Sequence, residues 1–112
     1  MTQAVAGGWS HWIAGAMALG FFVTMAFGQD SALVVQGKQV FNDQGCYGCH
    51  TMGRSGTPIA PDLSRIGAKH SEEYLRRWLE DPKAQKPTAH MPKLALTKGE
   101  VRALAAYLAS LR

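Results

Sequence analysis

The sequence predicts an all-α domain of three or more short helices joined by irregular loops. Two observations carry this. Three stretches place apolar residues at steps of three and four, and each opens on a Ser or Thr able to cap a helix. Between them the chain is rich in Gly and Pro and shows no alternating apolar run that would read as a strand.

The first helix is read from Ser31 to Gln44. Ser31 stands as its cap, and Leu33, Val34, Gly37, Val40 and Phe41 share one face. Gly45 suits its end. The second is read from Ser71 to Glu80. Glu72 and Glu73 favour the positive helix start, Tyr74, Leu75, Trp78 and Leu79 form the apolar face, and Pro82 stops it. The third has the clearest opening. Thr97-Lys98-Gly99-Glu100 is a capping-box pattern, followed by Val101, Leu104, Ala105, Leu108 and Leu111 as a stripe. The stretches Met52–Pro61 and Pro82–Pro92 read as loops.

Charge divides the chain unevenly. Residues 1–29 contain no Lys, Arg, Asp or Glu, so the net charge of +4 belongs to the remainder. Trp12–Phe27 is apolar apart from Thr24, and Ala26-Phe27-Gly28 places small residues where a signal peptidase reads. Residues 1–28 are therefore either a secretory signal cut before Gln29 or an uncleaved anchor. Gly7–Phe27 matches the roughly 20 residues a membrane-spanning helix needs. Both readings put residues 29–112 outside the cytoplasm, in the periplasm. The net charge is basic, yet no Arg/Lys run or aromatic-basic interleaving points to nucleic acid.

A domain of this size buries a modest core and calls for a staple. Its two cysteines, Cys46 and Cys49, are too close together to supply one as a disulfide. Cys46-Tyr47-Gly48-Cys49-His50 is instead the C-x-x-C-H haem attachment pattern. Two thiols at this spacing reach the two vinyl groups of one haem, and the following His50 falls beneath the iron. A redox C-x-x-C would sit in a βαβ context, and a zinc site would need a second Cys/His pair. His70 and His90 are not paired that way. The expected cofactor is one covalent haem c.

For the sixth iron ligand, a soft thioether favours ferrous iron and suits an electron carrier. Met52 follows His50 too closely to reach the opposite face. Met91 lies far downstream in a Pro-bounded loop, before the last helix, and is the expected ligand. Its neighbour His90 is the alternative, and would lower the potential.

These residues resemble the class I monohaem c-type cytochromes over about Gly37–Leu111. The likeness rests on the C-x-x-C-H pattern, on Ala60-Pro61-Asp62-Leu63 with Gly67, on Met91-Pro92, and on the closing helix with Tyr107. It implies a class I cytochrome c-like haem wrap whose first and last helices cross, Gly37 and Phe41 meeting Leu104 and Tyr107. It also implies that the Pro61 carbonyl accepts from the second nitrogen of His50. Arg65 and Trp78 would then contact the haem propionates. Ala60 and Asp62 stand where the family pattern often has Gly and Asn, which changes the loop and its charge but not the ligands.

With both axial positions filled by protein, the expected role is single-electron transfer rather than catalysis. Lys83, Lys86, Lys93 and Lys98 lie in a stretch without acidic residues, so the expected partner is a redox protein with an acidic docking surface. Three classes follow. One is an electron-transfer cytochrome, free or anchored, serving a terminal oxidase or reductase. Another is the haem subunit of a periplasmic dehydrogenase complex, for example one oxidising sulfite. The third is a ligand-binding or peroxidatic haem protein with a labile sixth ligand.

Overall fold

A computed structural model describes residue 2 and residues 23–112 of the chain, with side chains from Asp30 onward. The remaining leader residues, where most of the predicted signal or anchor falls, lie outside the described residues.

Helix α1 spans Val23–Asp43. It is followed by a 3₁₀ turn at Cys46–Gly48, two paired two-residue strands, β1 (Thr51–Met52) and β2 (Ser55–Gly56), then α2 (Ile66–Lys69), α3 (Glu72–Glu80), α4 (Pro82–Gln85) and α5 (Lys98–Ser110). No described helix is long and apolar enough to cross a membrane.

The all-α expectation holds, with three corrections. Ser31 is not a cap, because α1 already runs through it from Val23; no Pro interrupts the chain there, and Ser31 stands exposed in the helix interior. The loop after His50 contains a small antiparallel ladder, Thr51 opposite Gly56 and Met52 opposite Ser55. At two residues per strand it leaves no alternation to read in the sequence. Pro82 follows α3 but also opens α4, with Asp81 as cap: its carboxylate accepts from the Ala84 amide at 3.4 Å. Pro at a first helical position loses no bond, since that N–H would be an orphan in any case.

The other two caps form as read. Ser71 Oγ accepts from the Tyr74 amide at 3.1 Å. At α5 both halves of the capping box are made: Thr97 Oγ1 accepts from Glu100 N at 3.1 Å, and Glu100 Oε2 accepts from Thr97 N at 2.8 Å.

The core lies where α1 and α3 pack on α5. Val40 and Phe41 from α1, Leu75 and Leu79 from α3, and Val101, Leu104, Ala105, Tyr107 and Leu108 from α5 form one buried cluster. Its centre is Phe41, whose ring meets Tyr47 edge-on at 4.9 Å and Tyr107 at 5.7 Å, an arrangement that aromatic quadrupoles favour. The α1–α5 crossing is close because Gly37 has no side chain. A Cβ there would overlap the Ala103 carbonyl oxygen and stand 2.6 Å from Tyr107 Cβ. At the far end of α5, Gly67 of α2 donates its amide to the Leu111 carbonyl at 2.7 Å, tying α2 to the chain terminus.

Candidate functional site

The site is built from a turn, a hairpin and two loops around the helical core. Helix α1 ends as Gly45 takes a left-handed conformation (φ 70°), which glycine adopts at little cost. The chain then coils tightly. The amides of Cys49 and His50 both reach the Cys46 carbonyl, at 3.3 and 3.0 Å. This turn presents the two thiols and the imidazole from one short segment. Both cysteines are free; Cys46 is half-buried against the core and Cys49 is exposed. Burial pushes the Cys46 thiol above its ordinary range, so it is protonated at neutral pH.

The segment 59–63 lies alongside residues 49–51. The amides of Ile59 and Ala60 donate to the Cys49 carbonyl at 3.2 and 2.7 Å, and the Leu63 amide donates to the Thr51 carbonyl at 2.9 Å. Bracketed by these bonds, the Pro61 carbonyl meets His50 Nδ1 at 2.7 Å. A carbonyl can only accept, so Nδ1 carries a proton, and in the neutral ring Nε2 is the nitrogen with the lone pair.

Side chains reinforce this contact. Thr51 Oγ1 donates to Asp62 Oδ2 at 2.6 Å, and Asp62 Oδ1 accepts from the Ser64 amide at 2.9 Å. Ser64 Oγ in turn accepts from the Gly53 amide at 2.6 Å. These bonds, led by the Thr51 hydroxyl, hold the Asp62 carboxyl below the usual carboxylate range. Gly56 is required at the close of the hairpin: its φ is +99°, and a Cβ would strike the His50 carbonyl. Sequence reading did not find this Thr51–Asp62–Ser64 brace. The available signal was Asp62-Leu63-Ser64, an Asx-turn pattern in which a carboxylate bonds the amide two residues on.

Met91 is half-buried and packs against the core. Its Sδ accepts from Trp78 Nε1 at 3.1 Å. The structure therefore joins His50 to Pro61 and Met91 to Trp78. Arg65 sits exposed at the start of α2 with no side-chain hydrogen bond or ion pair among the described residues. His90 is exposed; Met52 is half-buried against the core.

The donor set fits a covalently attached haem. Two unpaired thiols stand at vinyl-matching spacing, and the imidazole beside them has its outer nitrogen fixed as a donor and its inner one left basic. The comparisons agree. Residues 34–112 match the cytochrome c family. The chain belongs to that family.

Among curated relatives, this cytochrome c domain is 34% identical over 89 residues to cytochrome c oxidase subunit 2 of Alkalihalophilus pseudofirmus, covering 71% of the chain and 26% of the relative. The same subunit of Bacillus sp. strain PS3 is 33% identical over 96 residues, covering 69% and 26%. A subunit of the nitric oxide reductase of Paracoccus denitrificans is 31% identical over 84 residues, covering 67% and 56%. The chain thus spans about a quarter of the oxidase subunits and just over half of the reductase subunit. Membership of the family brings haem-based electron transfer and the covalent haem c that Cys46 and Cys49 are spaced to hold.

Proposed function

We propose that this cytochrome c passes single electrons to the catalytic part of a membrane-bound oxidase or reductase, with His50 and Met91 as the axial ligands of its haem. One observation carries the axial assignment: the 2.7 Å contact from His50 Nδ1 to the Pro61 carbonyl, which leaves Nε2 basic and the ring plane fixed. A haem held there would alternate between ferric and ferrous states, taking up and giving off one electron. The protein's work is to keep its ligands still, so that little reorganises when the charge changes.

His50 is held by the braced loop and Met91 by the indole of Trp78. With both positions occupied by protein, the iron has no site for substrate. Carbon monoxide should therefore bind the reduced protein poorly, whereas the ligand-binding class predicts ready binding. Changing Met91 to Ala should abolish the weak iron–sulfur absorption band of the oxidised protein; survival of that band would move the ligand elsewhere.

Support for the partner class comes from the relatives, which are subunits of oxidases and nitric oxide reductases. No observation favours the dehydrogenase reading over it. The ion pairs of the described residues join Glu73, Glu80, Arg76 and Arg77 within α3, leaving the exposed Lys83, Lys86, Lys93 and Lys98 unpaired. Unpaired lysines suit a rim that steers an acidic partner.

The chain would act outside the cytoplasm, held at the membrane by an uncleaved leader. The support is the continuity of α1, which carries residues 26–29 in unbroken helix across the predicted cut. A protease takes its substrate in extended form, and helical hydrogen bonds withhold the backbone it must grip. The test is the mass of the native haem protein: the full chain supports anchoring, and a chain beginning at Gln29 refutes it. Purification in detergent, alongside or apart from a catalytic subunit, then separates an independent anchored carrier from a fixed subunit.

A further inference from the structure

The end of α3 and the start of α5 leave a depression between them, closed on its third side by the loop that follows Met91. Its base is apolar: Leu79 and Val101 are buried core residues, and Leu94 and Leu96 are half-buried in the loop. Its rim is exposed and charged, carrying Glu80, Lys93 and Lys98. Its volume is about 200 Å³. Size narrows the occupant. Sites for cofactors and other small molecules run to about 300–1,000 Å³, so a flavin is out of scale. An apolar cavity of about 150 Å³ holds one benzene ring, so a single aromatic side chain is in scale.

Charge narrows it further. The Glu80 carboxylate is already taken by Arg76 at 2.6 Å. Lys93 and Lys98 have no ion pair among the described residues. The uncompensated charge around the apolar base is therefore positive, and its complement is an apolar side chain with carboxylates beside it. We propose that this pocket is the anchor point of the redox partner: it takes one aromatic side chain, of phenylalanine size, from an acidic segment of that partner, with Lys93 and Lys98 pairing the flanking carboxylates. This deepens, and rests on, the acidic-partner reading above. The two parts of the site do different work. Lysines steer at long range and lose force in salt. A ring buried in the pocket acts only at contact, keeps its hold in salt, and governs how long the complex lasts.

The experiment titrates the full-length, haem-loaded, reduced protein with the capped pentapeptide Asp-Glu-Phe-Glu-Asp and with the same peptide carrying Ala in place of Phe. The methyl NMR signals of Leu94, Leu96 and Val101 report the site. The Phe peptide should shift these methyls and bind roughly ten- to hundredfold more tightly than the Ala peptide, the scale of burying one ring. Added salt should weaken both peptides and leave their ratio intact. Leu94→Trp, which fills the pocket from its own wall, should abolish the preference for Phe.

Where Leu94→Trp folds poorly, the double variant Lys93→Glu/Lys98→Glu changes only exposed positions. It should release the acidic peptide and accept a Phe peptide flanked by Lys instead. A Phe peptide bound no better than the Ala peptide, or bound unchanged by either variant, would overturn the proposal, as would methyl shifts confined to other parts of the surface. Vesicles of dioleoylphosphatidylglycerol that shift the pocket methyls where the peptide does not would assign the pocket to an acyl chain and overturn it as well. Failure here is distinguishable from failure of the acidic-partner reading. That reading falls on an electron-transfer rate flat in salt, whereas the pocket falls on the Phe-to-Ala ratio.

Discussion

Replacing Gly37 by Ala sets two known effects of opposite sign against each other. In a helix interior, Ala is favoured over Gly by about 1 kcal/mol, so propensity alone predicts a more stable protein. At the α1–α5 crossing the added Cβ would overlap the Ala103 carbonyl oxygen and stand 2.6 Å from both the Ala103 carbonyl carbon and Tyr107 Cβ. Carbon atoms at optimal contact lie about 3.5–4.0 Å apart, so α1 would have to retreat by roughly 1 Å. Two of the three obstacles are backbone atoms and the third is a Cβ, so no rotamer change can relieve them. Overpacking of this kind costs about 1–3 kcal/mol. The net expectation is a loss of up to about 2 kcal/mol, which for a domain of this size lowers Tm by up to roughly 15 °C. The assay is thermal unfolding of the haem-loaded protein followed by circular dichroism. Gly99→Ala is the control: it lies in the first turn of α5 with only Thr97 Oγ1 near, at 3.9 Å, and should be neutral or slightly stabilising. A Gly37→Ala protein more stable than the parent would refute the close crossing and the packing argument with it.

Asp62→Asn should flatten the acid limb of stability. The Asp62 carboxyl titrates below its ordinary value, near pH 4 when unfolded, so its contribution is complete above about pH 4 and fades as pH falls through the folded value. Melting points taken across that range check this, and an unchanged acid limb would separate the brace from stability. Thr97→Ala removes one half of the α5 capping box and should cost about 1 kcal/mol by denaturant titration. Electron transfer to an acidic partner should slow as ionic strength rises, and replacing Lys83 and Lys86 with Gln should reduce that slope without moving the potential; a rate flat in salt would discard the steering role.

Much of the fold was legible because its determinants are local. The Thr97–Glu100 box and the Ser71 cap are short patterns whose hydrogen bonds close within one turn, and both form. The Gly37–Tyr107 crossing was legible only through family resemblance, since nothing near Gly37 in sequence announces Ala103 as its neighbour. The start of α1 was misread for a simple reason. Ser is a good cap but also a tolerable helix residue, and an apolar stretch before it gives the helix no cause to begin there. The hairpin at Thr51–Gly56 was invisible because two-residue strands have no period; its determinants are the positive φ of Gly53 and Gly56, which a sequence does not print.

The two halves of the candidate site differ in the same way. On the His50 side, the ring is held by Pro61, eleven residues on, and Pro61 by a set of bonds that all join residues 49–53 to residues 59–64. That half needs only the C-x-x-C-H turn and its own loop, so it could be inferred from one stretch of sequence. On the Met91 side, the sulfur of a loop residue is fixed by a side chain of α3, and the indole by a column reaching back to His70. That half depends on α3 being docked through Leu75 and Leu79, a tertiary fact. Damage to the core should thus loosen the two proposed ligands unequally. Under the proposed ligation, shaving Leu79 to Ala should weaken the iron–sulfur bond well before it disturbs the imidazole, because the His50 loop carries its own bracing and the Met91 loop borrows its bracing from the core.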